Sequence, residues 1–444
     1  MTERWYPNPT PYPAHPPSEW PAPAAASPPP PPPPPGGARR NPALVALAVL
    51  AALVLVVVAV ALVGDDDDQV ALDRPPSTTA PVPSTEPDVP EPPPATEPPP
   101  PIDEVVDELS RFVERERGLT FKTPVAVEVV DDEQFERRLL ADLEESADDI
   151  VDQQDFLRAL GLIDDDVDLR AAQVELLSGA VVGFYDPETD ELVVRGQDAT
   201  PAVRSTIVHE LVHALDDQWF DLDRPALDDA TDESSFGFLA LVEGDAVRIE
   251  EAYEQTLTPD ELDQLFAEEL GQSGDLDLSL IPLVIIDLLV APYVHGPGLV
   301  GEILDDGDQV RLDAAFALPP TTSEHVLDPS SYLAGEAPVA VPAPTADPEG
   351  EVYEEGTFGQ LGLDVLLGSG SGDATEGWGG DAYVAWRTPA EDCVRVNVVT
   401  DKEDDFDALV DAVQDWAEDA EAAVAVLDDV SGLDRRMLTF ARCG

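Results

Sequence analysis

Lysine is almost absent from this chain, with only Lys122 and Lys402 among 444 residues. Arginine does little to offset this, since 23 basic side chains face 93 acidic ones and the formal net charge is −70. A surface of that sign repels phosphate backbones, which excludes nucleic acid as a partner. Cysteine is equally scarce: Cys393 and Cys443 are the only two. They are too few and too far apart to form a zinc site of their own, and an even pair in an oxidising compartment reads as a disulfide. With five histidines in the whole chain, two at ligand spacing carry information.

Long apolar runs are missing too, with one exception. Residues 43–63 are 21 consecutive Ala, Leu and Val without a charge, about 30 Å as a helix and so the thickness of a bilayer core. Before this run, residues 1–42 are dominated by proline, including the unbroken stretch Pro28 to Pro35, and such a segment has no core to fold around. After it, residues 64–101 are rich in Asp, Pro, Thr and Ser, the composition of an extended tether. Arg39 and Arg40 precede the apolar run and Asp65 to Asp68 follow it. The positive side stays in the cytoplasm, so the expectation is a single-pass membrane protein with its amino terminus inside and everything beyond Gly64 outside. The inner tail carries +1, which leaves −71 on the outer part. Self-repulsion of that size points to a medium salty enough to screen it.

The outer part is organised around Pro201 to Asp223, whose centre is His209-Glu210-Leu211-Val212-His213. On a helix, residues four apart share a face, so both imidazoles can grip one ion. Glu210 then stands beside the metal as a general base for water. Ile207, Leu211 and Leu215, with Val208 and Ala214, form an apolar stripe at helical spacing, and Pro201 suits a helix start. A third ligand has to come from a later element. Glu243 is the candidate, because its neighbours on a helix are Leu239, Ala240, Ala246 and Val247, a setting costly for a carboxylate that binds nothing. Gly244 inside that helix costs about 1 kcal/mol relative to alanine, which a close helix–helix approach at the site would justify. Asp217, one turn beyond His213, is placed to hold a ligand imidazole by its second nitrogen. Asp216 and Asp245 compete for that role.

An oxyanion of a tetrahedral intermediate needs a donor, and Tyr293 or His295, after the apolar run Leu280 to Val290, fits that need. That run is too short and too interrupted by Asp287 to be a second span, and reads as a buried core helix. His325 is a further candidate. The remaining elements are a helix from Ile102 to Gly118, a strand at Val125 to Val130, and two or three helical pieces over 132–179. A hairpin follows, pairing Ala180–Tyr185 with Glu191–Arg195 around Asp186-Pro187-Glu188-Thr189-Asp190. A strand lying beside the site helix would offer its edge to an extended peptide. Beyond a Pro/Ala-rich break at 334–350, a helix over 358–367, strands in GWGGDAYVAW and CVRVNVVT, a helix near 403–418 and a strand in LTFARC predict a small α+β carboxy-terminal lobe.

HELVHALDD resembles the zinc helix of thermolysin-like peptidases, and a glutamate about 30 residues downstream, Glu243 in LVEGDA, resembles the gluzincin arrangement. The wider set GFYDPETDELVV, PYVHGPGLV, SEHVLDP and GWGGD is similar to a group of membrane-anchored gluzincin-like bacterial proteins. The resemblance covers roughly residues 180–385 and implies zinc on His209, His213 and Glu243, with Glu210 as base and then acid. Where the fuller gluzincin pattern has an aspartate supporting a histidine, this chain has Val247, and only Tyr293, His295 or His325 is offered as proton donor. The expectation is thus an α+β, mainly helical fold. A zincin-like metallopeptidase domain over 102–345 and a lobe over 346–444 stand behind a transmembrane helix and act on peptide or protein substrates outside the cell. The alternative is a cell-surface binding or scaffold protein that keeps the zinc as a brace, with His295 or His325 as a fourth ligand.

Overall fold

A computed structural model describes residues 102–444 apart from 142, 144–146, 197, 229, 274–279, 369–373, 429 and 431–432. The expected tail (1–42), membrane span (43–63) and tether (64–101) lie outside these residues. The fold is α+β, built from helices and two sheets. In chain order the elements are α1 (Ile102–Arg117), β1 (Val127–Val130), α2 (Asp132–Leu139), α3 (Ala147–Leu160), α4 (Leu169–Ala180), β2 (Gly183–Asp186) and β3 (Glu191–Arg195). Next come α5 (Pro201–Phe220), α6 (Pro225–Asp228), α7 (Ser234–Glu254), α8 (Pro259–Ser273), α9 (Leu283–Ala317), α10 (Glu324–Leu327) and α11 (Pro329–Ala334). The chain ends with β4 (Glu351–Gly356), α12 (Gly359–Leu367), β5 (Trp378–Arg387), β6 (Asp392–Thr400), α13 (Glu403–Ala420), β7 (Ala423–Leu427) and β8 (Met437–Cys443).

Two helices buried on nearly all sides, α5 and α7, form the centre, with apolar residues spread around both and a minority of charged and histidine residues buried among them. Thr200 caps α5 through its side-chain oxygen, Pro201 occupies the first turn, and Asp221 ends the helix with φ 62°. Its inner face packs with α1 and β3, where Ile207, Leu211 and Leu215 join Leu109, Val113 and Leu192 in one core. A second core joins α2, α3 and α4 to the start of α9, through Phe135, Leu176, Leu177, Ile285 and Val290. The three-stranded sheet has the order β1-β3-β2, with β1 parallel and β2 antiparallel to β3. The edge strand β2 therefore lies against α5.

The carboxy-terminal sheet is larger than three strands: its order is β4-β5-β6-β8-β7, all antiparallel. Cys393 and Cys443 are register partners on β6 and β8 and are joined by a disulfide. Ala159 and Leu160 at the end of α3 belong to the core of this sheet. Arg387 pairs with Asp152 and Asp155 at 2.6 and 2.7 Å. Residues 346–444 thus pack on the preceding part through α3.

One helix departs from expectation in length. The apolar run after Leu280 does not stop near Val290 but continues as α9 through Pro292, His295 and Pro297 to Ala317, with a kink at Gly307 and Asp308. Among the described residues it is the one helix long and apolar enough to cross a membrane. Many of its apolar side chains, among them Val284, Ile285, Leu299, Val300, Ile303 and Phe316, are buried within the fold, while Leu283, Val294 and Val310 are exposed. It serves as a core helix, packed along α7.

Candidate metal centre

Helices α5 and α7 bring His209, His213 and Glu243 together as sequence spacing predicts. One nitrogen from each ring and one carboxylate oxygen lie within 4.8 Å of one another, and all three residues are buried. His209 Nε2 is 3.1 Å and His213 Nε2 is 3.5 Å from the same atom, Glu243 Oε2. The two rings stand nearly perpendicular, with centroids 4.7 Å apart. Neither ring nitrogen of His213 nor Oε1 of Glu243 has a hydrogen-bond partner among the described residues. Three buried polar atoms left in that state are costly.

The tautomer of His209 sharpens this. Its Nδ1 lies 2.9 Å from Glu250 Oε2, and because a carboxylate only accepts, Nδ1 carries the hydrogen and donates. Nε2 faces a carboxylate oxygen of Glu243, a contact satisfied either by a second ring proton or by a cation held between the two atoms. Tetrahedral ligands at bond lengths of about 2.0–2.1 Å stand about 3.3–3.4 Å apart. The observed 3.1 and 3.5 Å bracket that edge. The residues present fit a metal ion held by three protein donors.

The electrostatics follow the geometry. Burial opposes charge on His209, but the Glu250 and Glu243 carboxylates outweigh it and hold the imidazole well above its ordinary range. For Glu243, burial is overcome by the His213 and His209 rings, and the carboxyl falls below its ordinary value. Glu210 is lifted well above the usual carboxylate range, chiefly by burial, with His209 opposing and Glu243 adding to the shift. One of its oxygens, Oε2, accepts the backbone N–H of Tyr185 on β2 at 2.8 Å.

The second-layer contacts differ from the expected ones. Asp217 does not reach a ligand imidazole: its oxygens accept the Tyr185 hydroxyl at 2.7 Å and the Leu222 N–H at 2.8 Å. Its carboxylate is thereby committed to tying α5 to β2 and to the turn after the helix. Glu250 takes the role instead, two helical turns after Glu243 and on the same face of α7. A search at the spacing of a single turn stops at Val247, so the sequence signal for Glu250 was the longer, seven-residue repeat. Asp216 and Asp245 are also committed elsewhere. Both bind the fully buried Arg117 of α1, at 2.9 and 2.5 Å from its Nε, and Asp313 of α9 binds its Nη1 at 2.7 Å. Arg117 thus ties α1 to the two helices that carry the candidate donors, a role with no local signal in sequence.

Of the downstream candidates, Tyr293 joins the site. It is buried on α9, and its ring stacks on His209 at 6.2 Å between centroids and 17° between planes. Two residues on, His295 has Asp364 of α12 as its charged neighbour, and burial holds its pKa below the ordinary value. His325 is spent on local structure: Nδ1 accepts the Thr321 N–H at 3.3 Å and Nε2 donates to the Glu336 carbonyl at 2.9 Å. Among the described residues neither joins the three donors. Gly244, next to Glu243, does mark a close approach, since a Cβ there would collide with the backbone of Gly296 on α9. Comparison of the chain with family models, with curated proteins and with solved structures finds no match.

Proposed function

We propose that this chain is a membrane-anchored zinc peptidase of gluzincin type, with zinc held by His209, His213 and Glu243. The observation that carries the reading is the pair of imidazole nitrogens converging on one Glu243 oxygen, with Glu210 on the same helix and Glu250 fixing the tautomer of His209. A zinc ion in such a setting supplies Lewis acidity towards a carbonyl and makes water acidic near neutrality. Glu210 is the proton carrier: its raised pKa suits a group that takes a proton from water and later gives it to a leaving amine. The Tyr185 N–H holds one of its oxygens in place and leaves the other for that exchange. Tyr293, stacked on His209, is the residue to stabilise charge on the substrate oxygen. His295 is the weaker choice for that role, because it lies beside Asp364. The edge of β2, running beside α5, is where an extended peptide would lie. The run 43–63 anchors the domain with its catalytic part outside the cell.

Hydrolysis of a mixed peptide library by the zinc-loaded full chain, and none by Glu210→Gln with the same zinc content, is the expected result. Cleavage that survives Glu210→Gln would remove Glu210 from its role. One observation favours a second reading. His209, Glu210, His213, Glu243 and Tyr293 are each 3 % exposed or less, so a substrate needs an opening of the fold to reach them. A binding or scaffold protein with a bracing zinc needs none. Full zinc occupancy with no cleavage of any peptide by the wild type would establish that alternative.

A further inference from the structure

A second chemical site lies between α10, α12 and the loops flanking β5 and β6. A cavity of about 840 Å³ opens there, lined by seven acidic residues and a single basic one, Lys402. That volume is in the range of organic ligand sites. Two of its lining side chains are deeply buried polar groups. Glu324 is 8 % exposed and Gln360 is 7 % exposed. Among the described residues the side chain of neither makes a hydrogen bond or ion pair, whereas Asp364 accepts the Thr375 hydroxyl. Burial, followed by repulsion from Asp401, Glu336 and Asp328, pushes Glu324 up to about 8. A carboxyl held in this way keeps its proton near neutrality unless positive charge enters the cavity, and such charge would favour its ionised form.

The spacing of the carboxylates decides what kind of charge. Among the described residues, no three acids of this cavity bring their oxygens within 4.8 Å of one another, so they do not converge on one small ion. They fit separated positive charges instead. Leu327 adds apolar wall for the methylenes between such charges. We propose that this cavity binds an organic polycation, a flexible chain with two or more ammonium groups seated on Glu324, Asp364 and Asp401, with Gln360 as a neutral acceptor. The ammonium groups belong to a free aliphatic polyamine or to neighbouring lysine side chains of a peptide, and the two sources are separable by experiment.

The test is calorimetric titration of the full chain with spermine, at fixed ionic strength, because a chain of charge −70 collects cations everywhere. The expected result is one saturable site per chain, weakened at least tenfold in Glu324→Gln and lost in Gln360→Lys, which places an ammonium group in the cavity. Asp411→Asn removes the same charge from an exposed position on α13 and leaves the affinity unchanged. A capped tetralysine peptide, titrated in parallel, binds with the same variant dependence if the source is peptide and fails to bind if it is a free polyamine. Near-UV circular dichroism confirms folding of each variant, and the Gln360→Lys arm decides the matter if Glu324→Gln does not fold. Absence of a saturable site, or equal losses in Asp411→Asn and Glu324→Gln, overturns the proposal.

Discussion

Removing the Glu250 carboxylate tests the site where its geometry departs most from sequence expectation. Glu250 is 5 % exposed and meets His209 Nδ1 at 2.9 Å. In Glu250→Ala the Nδ1–H is left buried without an acceptor, and the ring is free to present the wrong tautomer to the metal. Losses of outer-layer partners weaken metal binding by about 10–100-fold, which is about 1.4–2.7 kcal/mol. Glu250→Gln keeps an acceptor and loses only the charge, so its loss falls at the low end of that range. Asp217→Asn is the matched control, because Asp217 binds Tyr185 and Leu222 rather than a ligand ring. Competition against a chromophoric zinc chelator, on variants whose circular dichroism matches wild type, gives the three affinities. The order predicted is wild type and Asp217→Asn together, then Glu250→Gln, then Glu250→Ala. An Asp217→Asn loss larger than that of Glu250→Ala would refute the assignment.

Arg117→Ala leaves Asp216 buried without its cation and Asp245 with Arg248 alone, and is expected to cost about 3–5 kcal/mol in chemical denaturation; a change under 1 kcal/mol contradicts the cluster. Gly296→Ala forces α9 off α7 at the Gly244 contact, with an expected cost of about 1–3 kcal/mol or more and weakened metal binding through displacement of Glu243; unaltered stability and affinity would mean the helices are not so close. Glu269 and Glu324 are each raised to about 8 in the folded chain, by burial first and then by neighbouring carboxylates. The native state therefore holds protons that the unfolded chain has released between pH about 4.5 and 8. Stability should rise as pH falls from 8.5 to 6, by up to about 1.4 kcal/mol per pH unit for each such proton. A thermal midpoint that falls over that interval contradicts these two assignments.

The parts of the fold legible in sequence were those set by local periodicity and short spacing. The four-residue step from His209 to His213, the apolar neighbours of Glu243 and the turn residues between β2 and β3 each carry their geometry within one or two turns of chain. What was not legible depends on long-range partners. Arg117 meets Asp216 and Asp245 across more than a hundred residues of folded chain in the second case, and nothing around ERERG distinguishes it from Arg115, which is exposed. The edge strands β4 and β7 are short and largely exposed, so EVYEEG lacks the alternation of a half-buried strand. In α9 the prolines at 292 and 297 and three nearby glycines read as breakers. Yet the helix continues, and Gly296 supplies its tight contact with Gly244.

Zinc content of the full chain after exhaustive dialysis, measured beside Glu243→Gln, tests the central claim most directly. One zinc per wild-type chain, and much weaker retention in the variant, is the predicted result. A wild-type chain that retains no metal, or a Glu243→Gln chain that holds zinc as tightly, would contradict the three-donor centre on which the functional reading stands.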